Sequence, residues 1–185
     1  MPYPVKEIKP ELRNTLSAIE RAVYQKIQPL EITIWKTKEP VPFEERCSGE
    51  RKSLVVGDRW GEIWDCAWFH FKGELPSCTA GKKVVLLIDI SGEACLFDSE
   101  GCPVQGLTNV NSEFDLRLGR PGKRVAEITD CAHGDEIIDL WADAGCNDLF
   151  GRYKNRGRII DADIATCNEE MRKLSYDFEV LFDLM

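Results

Sequence analysis

The sequence predicts a mainly β protein, an antiparallel β-sandwich of the jelly-roll or galactose-binding-like type, with one α-helix before it and one after it. About seven short segments of β-type composition follow one another between residues 61 and 163, and turn residues separate them. No helical crossover of about ten residues intervenes to build a parallel sheet. Apolar residues recur at helical spacing only near the two ends of the chain. With 185 residues and 43% hydrophobic side chains, the chain has enough apolar mass for one sizeable core.

Residues 1–37 are predicted to hold an N-terminal helix and a first strand. The helix is expected to begin at Pro10 and to be ended by Pro29, because five apolar residues lie along one helical stripe. These are Leu12, Leu16, Ile19, Val23 and Ile27. The alternating run from Glu31 to Thr37 predicts a strand. Residues 38–58 are polar and rich in Pro and Gly, so they predict a connecting loop with at most short elements.

Residues 59–165 are predicted to form the sandwich itself. The segments with strand composition are 64–72, 83–90, 93–97, 114–118, 124–129, 136–142 and 158–164. Segment 83–90 is nearly continuous in apolar residues. That composition is typical of a central strand that is covered on both faces.

Residues 166–185 return to a helical pattern. Thr166 and Glu169 have the spacing of a capping box, which predicts the start of the helix. Six apolar residues follow at helical spacing, namely Met171, Leu174, Phe178, Leu181, Phe182 and Met185. No Gly, Asn or basic turn closes this helix, so we expect it to lead toward a further domain that these residues do not include.

Charge and composition narrow the classes of partner. The net charge of −8 disfavours binding to phosphate backbones, so nucleic acid is not expected as a partner. No apolar run approaches the roughly 18 residues needed to span a bilayer, and the first residues do not resemble a secretory signal. We therefore expect a soluble, cytoplasmic protein with no membrane partner. The eight cysteines form no Cys-x-x-Cys pair and are expected to be reduced thiols.

Several motifs follow one another in a recognisable order. They are Trp60-Gly-Glu-Ile-Trp64, Ala67-Trp-Phe-His-Phe-Lys-Gly-Glu-Leu-Pro76, Gly81-Lys-Lys-Val-Val-Leu-Leu-Ile-Asp-Ile-Ser-Gly-Glu93, Asp98-Ser-Glu-Gly101 and Pro103-Val-Gln-Gly-Leu107. This succession resembles the amino-terminal β-sandwich region of the glycoside hydrolase family 38 α-mannosidases of the cytosolic type. The stretches Ala162-Asp-Ile-Ala165 and Arg172-Lys-Leu-Ser-Tyr-Asp-Phe-Glu-Val-Leu181 look like the strand and helix by which that family leaves the sandwich.

The resemblance implies that catalysis takes place outside these 185 residues. Those enzymes hold a zinc ion and an aspartate nucleophile in a downstream α/β domain that opens with a His-x-His-x-Asp motif. His70 and His133 are the two histidines here, and neither forms that motif. The resemblance thus predicts no catalytic residue and no cofactor in this chain, with the catalytic domain of the same polypeptide as its partner.

The tryptophans suggest a carbohydrate-binding surface, because a flat aromatic face complements the C–H face of a pyranose. Trp60 and Trp64 are the candidates, since they lie beside Gly61 before a predicted strand and are expected to be accessible. Glu93 and Asp98 are carboxylates that flank a short strand. They are weighed as sugar ligands or as the carboxylate pair of a glycosidase, against a role in turn stabilisation or domain docking.

Three other clusters are weighed as sites. Cys131, His133 and Asp135 form the nearest approach to a zinc constellation, and a polar turn is the alternative. The acidic residues around Trp141 are weighed as calcium ligands against a solvated face; they are Asp130, Asp135, Glu136, Asp139, Asp143 and Asp148. The basic stretch 152–158 is interpreted as a charged loop. The sequence therefore predicts no metal site.

Three hypotheses about function remain open at the level of sequence. The leading one is a non-catalytic accessory domain of an α-mannosidase, which packs against a zinc-dependent catalytic domain. The second is a free-standing carbohydrate-binding module that contacts glycans. The third is a structural protein that forms a homo-oligomer through its terminal helices.

Overall fold

The computed structural model describes residues 5–108, 123–147 and 157–184. These residues form ten strands, two α-helices and two short 3-10 helices. The helices are α1 (Val5–Val23) and α2 (Glu169–Asp183), and the 3-10 helices are Phe43–Glu45 and Ser77–Thr79. The strands are β1 (Tyr24–Pro29), β2 (Glu31–Thr37), β3 (Glu50–Leu54), β4 (Cys66–Glu74), β5 (Val84–Asp89), β6 (Glu93–Phe97), β7 (Pro103–Thr108), β8 (Val125–Thr129), β9 (Ile137–Gly145) and β10 (Asp161–Cys167).

The strands form two antiparallel sheets that face each other. One sheet has four strands in the order β1-β10-β5-β8, and the other has six in the order β3-β2-β4-β9-β6-β7. Apolar residues of both sheets meet in one buried core, to which Phe69 and Leu96 contribute from the six-stranded sheet and Leu86 and Ile164 from the four-stranded sheet. The predicted fold, a mainly β sandwich flanked by two helices, is confirmed.

Strand β5 is buried on both faces, as its continuous apolar composition predicts. Val84 and Leu86 point into the main core. Val85 points to the opposite face, where it joins a second cluster with Val23 and Ala165. This second cluster fixes the ends of α1 and β10 on the outside of the four-stranded sheet.

The N-terminal helix differs from the prediction at both ends. It already includes Val5, so that Pro10 lies inside it, and it ends at Val23. Its last predicted turn is instead strand β1, which pairs with β10 from Tyr24 to Pro29. Tertiary pairing with β10 thus overrides the helical spacing of Ile27, and Pro29 ends a strand rather than a helix.

The sandwich includes residues that were predicted to precede it. Strands β1 and β2 belong to the two sheets, and β3, within the predicted loop 38–58, pairs with β2. Strand β7 was not predicted as a strand, although it pairs with β6. The predicted strand 114–118 lies outside the described residues.

The start of α2 is also corrected. Thr166 is still in β10, where it pairs with Gln25 and Val84, so it does not cap the helix. The cap is Asn168, whose side-chain oxygen accepts a hydrogen bond from the Met171 amide at 3.1 Å. Helix α2 packs along α1, where the Arg13 guanidinium lies 5.9 Å from the centroid of the Phe182 ring.

Charged side chains attach the beginning of α2 to the four-stranded sheet. The Lys83 ammonium is 2.7 Å from Asp130 and 3.6 Å from Glu169, and Arg172 is 3.0 Å from Glu127. The hydrogen bond to Asp130 is the main cause that raises the pKa of Lys83 to about 12. In the part of the chain that the structure describes, no helix is both long enough and apolar enough to cross a membrane.

Candidate functional site

The predicted residues Trp60, Trp64 and Glu93 lie at one end of the sandwich, which we call the loop end. Here β2 finishes, β4 begins, β9 finishes and β6 begins, because Thr37 pairs with Cys66 and Gly145 pairs with both Cys66 and Glu93. Segments 55–65 and 157–160 close this end, linked by a bridge between Arg59 and Arg158.

Trp60 is a core residue at the loop end. Its side chain is only 3% exposed, its indole N–H donates to the Ile90 carbonyl at 2.7 Å, and its ring packs edge-on against Phe69 at 5.1 Å. The expectation that Trp60 is accessible is therefore wrong. A tryptophan whose N–H finds a partner inside the protein can be buried without cost to hydrogen bonding, and Gly92 allows the close approach of the indole.

Trp64 has the opposite environment. It is 65% exposed and has a φ of 69°, a left-handed conformation that is unusual for a bulky side chain. This conformation costs about 1–3 kcal/mol and persists only where the surrounding structure imposes it. The turn is held by the Asp65 carboxylate, which accepts from the Glu62 amide at 2.6 Å, and by the Trp64 amide, which donates to Cys146 at 2.9 Å. Trp64 is thus presented to solvent by a fixed turn.

A groove of about 270 Å³ lies beside Trp60, between the inner side of the β2–β3 edge and segment 59–62. Its lining consists of two apolar residues, one glycine and five charged residues: Ile34, Trp60, Gly61, Lys36, Glu50, Lys52, Arg59 and Glu62. Lys36 is bound to Asp65 of the Trp64 turn at 2.5 Å, and Arg59 is bound to Glu62 at 2.6 Å. The ion pair between Lys36 and Asp65 therefore links the lining of the groove to the Trp64 turn.

Glu93 and Asp98 are not brought together. Glu93 is at the loop end, where its carboxylate accepts from the Asn147 side chain at 2.6 Å. Asp98 follows the far end of β6, and its carboxylate accepts from the amides of Glu100 at 3.0 Å and Cys102 at 2.8 Å. Five residues of extended chain separate the two by roughly 16 Å. That is beyond the roughly 5–9.5 Å of a glycosidase carboxylate pair, so they do not form one.

An aromatic cluster on the outer face of the six-stranded sheet was not predicted. Its members are Trp35, Phe43, Trp68, His70, Phe97 and Trp141. His70 stacks on Trp141 at 3.9 Å, and its Nε2 is 2.8 Å from Asp139. The signal for this cluster is the apolar run Ala67–Phe71, which does not alternate with polar residues and so indicates a strand covered on both faces.

Segment 38–49 covers that aromatic face. The Trp68 indole donates to the Val41 carbonyl at 2.9 Å, and Phe43 packs edge-on against Trp68 at 5.6 Å. The Arg46 guanidinium lies 3.8 Å from the Phe43 ring centroid and 4.5 Å from that of Trp141. The polar segment that was predicted as a connecting loop therefore covers the outer face of β4 and β9, whereas the core covers their inner face.

The residues weighed as metal ligands have other partners. The Glu136 carboxylate accepts from the amides of His133 at 2.6 Å and Gly134 at 2.8 Å, and these bonds lower the pKa of Glu136 to about 2. Asp130 binds Lys83, and burial raises the pKa of Asp143. Within the described ranges no three His, Cys, Asp or Glu side chains converge.

The two histidines do not fit a zinc site. His70 is paired with Asp139 and stacked on Trp141, whereas His133 is on the exposed turn that Glu136 closes. We therefore derive no metal-dependent step from this chain. Asp148 and residues 152–156 of the basic stretch lie outside the described residues, while Arg158 donates to the Gly57 carbonyl at 3.0 Å.

Comparison with known proteins agrees with this fold. Residues 28–180 match the family described as "Alpha-mannosidase, jelly roll domain". The chain is 25% identical over 159 residues to Alpha-mannosidase 2C1 of Homo sapiens, and 24% identical over 155 residues to that of Mus musculus. These alignments cover 80% and 78% of this chain, but only 14% of each relative. They confirm the resemblance to α-mannosidases, and the chain belongs to the α-mannosidase jelly-roll domain family.

Proposed function

We propose that this chain is a non-catalytic accessory domain of an α-mannosidase, acting beside a zinc-dependent catalytic domain of the same polypeptide. The observation that carries the proposal is the family match, which spans most of the chain but a small part of the α-mannosidases it matches. In those proteins the remaining length leaves ample room for the catalytic machinery.

The exposed face of α2 is the surface through which we expect this contact. Leu174, Leu181 and Leu184 are spaced i, i+7 and i+10, so they lie on one side of the helix. They are 44%, 63% and 79% exposed, and Val180 beside them is 61% exposed. Contiguous apolar side chains in solvent mark interaction surfaces. Phe178, one turn after Leu174, and Phe182, one turn after Phe178, are half-buried and border this exposed surface.

The cysteines support a cytoplasmic location for the proposed enzyme. Four of the cysteines, Cys47, Cys78, Cys102 and Cys131, are exposed free thiols. Exposed free thiols persist where the compartment is reducing, whereas secreted domains of similar size tend to oxidise theirs. The proposal therefore places the domain in the cytoplasm.

The test begins with the reading frame that encodes these residues. We expect it to continue past codon 185 and to encode a His-x-His-x-Asp motif. The encoded remainder, expressed separately with a tag, should then retain the 185-residue chain on an affinity column. The double variant Leu174→Glu/Leu181→Glu should lose most of that binding, because it places two charges in an apolar contact.

Lys173→Glu is the matched control. It is exposed on the same helix and changes the net charge by the same two units as the double variant, so it separates loss of apolar contact from a general charge effect. Circular dichroism would verify that every variant keeps its helices. A stop codon directly after codon 185, or equal retention of the double variant, would overturn the proposal.

A carbohydrate-binding module is the second candidate function. The observation that favours it is the fixed turn that presents Trp64 in solvent next to a polar groove. Aromatic surface near a few converging polar groups is the usual composition of a sugar site. Trp60, now a buried support, no longer belongs to the exposed part of that candidate site.

A further inference from the structure

We infer that the groove beside Trp60 binds a single neutral hexopyranose unit. This inference deepens the carbohydrate-binding candidate described above and assigns it a location. The binding groups are the side chains of Lys36, Glu50, Lys52, Arg59 and Glu62, above a floor formed by Ile34 and Trp60.

The charges of the lining select an uncharged ligand. Three cations line the groove, and two of them are already paired with carboxylates, Lys36 with Asp65 and Arg59 with Glu62. Glu50 adds a further carboxylate opposite Lys36 in the β2–β3 ladder. The carboxylates would repel a phosphate, and the lysines would repel a cation. Hydroxyl groups carry no charge and both donate and accept hydrogen bonds, so they can bind the ammonium groups and the carboxylates of the groove alike.

The size of the groove favours one ring. Its volume of about 270 Å³ lies just below the roughly 300–1,000 Å³ of pockets that enclose drug-sized ligands. An extended oligosaccharide would have to continue out of the groove. The exposed indole of Trp64 follows Glu62 by two residues, in the turn that Lys36 of the groove binds through Asp65, and we expect it to contact a second ring.

The wall of the groove is fixed before any ligand binds. The Trp60 amide donates to the Gly157 carbonyl at 2.6 Å, and a Cβ atom on Gly157 would lie 2.1 Å from the Gly61 carbonyl oxygen. The two backbones can approach this closely only because Gly157 has no side chain. The Trp60 indole N–H donates to the Ile90 carbonyl, which fixes the orientation of the ring. A wall that does not reorganise reduces the entropic cost of binding a weak ligand.

The inference can be tested by titrating the ¹⁵N-labelled 185-residue chain with methyl α-mannopyranoside and following the amide signals by NMR. We expect saturable shifts centred on residues 36, 50–52 and 59–62. Glu50→Gln and Lys52→Met should each weaken binding by about 5- to 10-fold, the size expected from losing one charge-assisted hydrogen bond. Both residues are exposed on the edge strand β3, so the variants leave the core unchanged.

Glu31→Gln and Lys72→Met are the matched controls. Glu31 and Lys72 are likewise one acidic and one basic residue on strands of the six-stranded sheet, and both are exposed outside the groove. The controls should leave the affinity unchanged. Mannose 6-phosphate should bind no more tightly than the neutral glycoside, because the groove offers its phosphate carboxylates as well as cations.

Two outcomes would overturn the inference. One is the absence of saturable shifts with the unmodified chain. The other is a set of shifts confined to the aromatic cluster, for example at Trp35 and Trp141. Either outcome leaves the accessory-domain proposal intact, since that proposal is tested by binding to the remainder of the polypeptide. Conversely, groove binding with no such partner would identify a free-standing sugar-binding module.

Discussion

At the scale of single residues, Asp161 and Asp163 share one lysine on the outer side of β10. The Lys26 ammonium is 2.7 Å from Asp161 and 2.8 Å from Asp163. Burial is the main cause that raises the pKa of Asp161 to about 6, and the hydrogen bond with Asp163 adds to it. Lys26 acts in the opposite direction, because its positive charge stabilises the carboxylate. The folded protein therefore holds a proton on this pair that the unfolded chain releases near pH 3.8.

This raised pKa predicts a pH-dependent effect of Asp161→Asn. A group whose pKa is higher in the folded state stabilises the fold at low pH and loses that contribution as the pH rises through about 4 to 6. The variant does not titrate, so its free energy of unfolding relative to the parent should increase by about 1 kcal/mol between pH 4 and pH 7. Urea unfolding at the two pH values measures this. The same difference at both would contradict the assignment.

The candidate site shows which single-residue properties a sequence can reveal. The pattern around Gly61 draws attention to Trp60 and Trp64, but it cannot distinguish them. Burial of Trp60 depends on Ile90 and Gly92, which approach it from a loop thirty residues later. Exposure of Trp64 depends on a left-handed φ held by Cys146. Both determinants are distant contacts that have no local signature.

At the scale of secondary-structure elements, Asn168 determines where β10 stops and α2 begins. Its side chain caps the Met171 amide, and its own amide donates to the Val23 carbonyl at 2.8 Å. Asn168→Ala keeps the second bond and removes the first. It should lower the free energy of unfolding by about 1 kcal/mol, as measured by urea titration.

Asn14→Ala serves as the control for this substitution. Asn14 is exposed in the interior of α1, where alanine has the higher helix propensity, so that variant should be neutral or slightly stabilising. If Asn168→Ala were equally neutral, the cap would not contribute to the stability of α2.

The strands that were not predicted are all edge strands. β1 is an edge of the four-stranded sheet, and β3 and β7 are the two edges of the six-stranded sheet. Edge strands carry charged and polar residues that discourage pairing with other chains, so they lack the apolar alternation of interior strands. In β3 the first four residues are all exposed. The interior strands β4, β5, β9 and β10 all coincide largely with predicted segments.

At the scale of the whole molecule, the class of fold was predictable because the two sheets bury one large core, and its apolar residues are visible as strand segments in the sequence. Turn spacing and the absence of helical crossovers exclude a parallel sheet. The sequence did not indicate that residues 24–54 supply three of the strands, because two of these are polar edges. It also gave no sign that segment 38–49 covers the outer aromatic cluster, since Phe43 is the only aromatic residue in that segment.

We propose that this domain acts in an α-mannosidase without carrying the catalytic groups itself. The most direct measurement is the release of nitrophenol from 4-nitrophenyl α-mannoside by the purified 185-residue chain, with zinc in the buffer. We expect no release above that of buffer alone. Release that disappears when the chain's own carboxylates are replaced, such as in Glu93→Gln or Asp161→Asn, would contradict it.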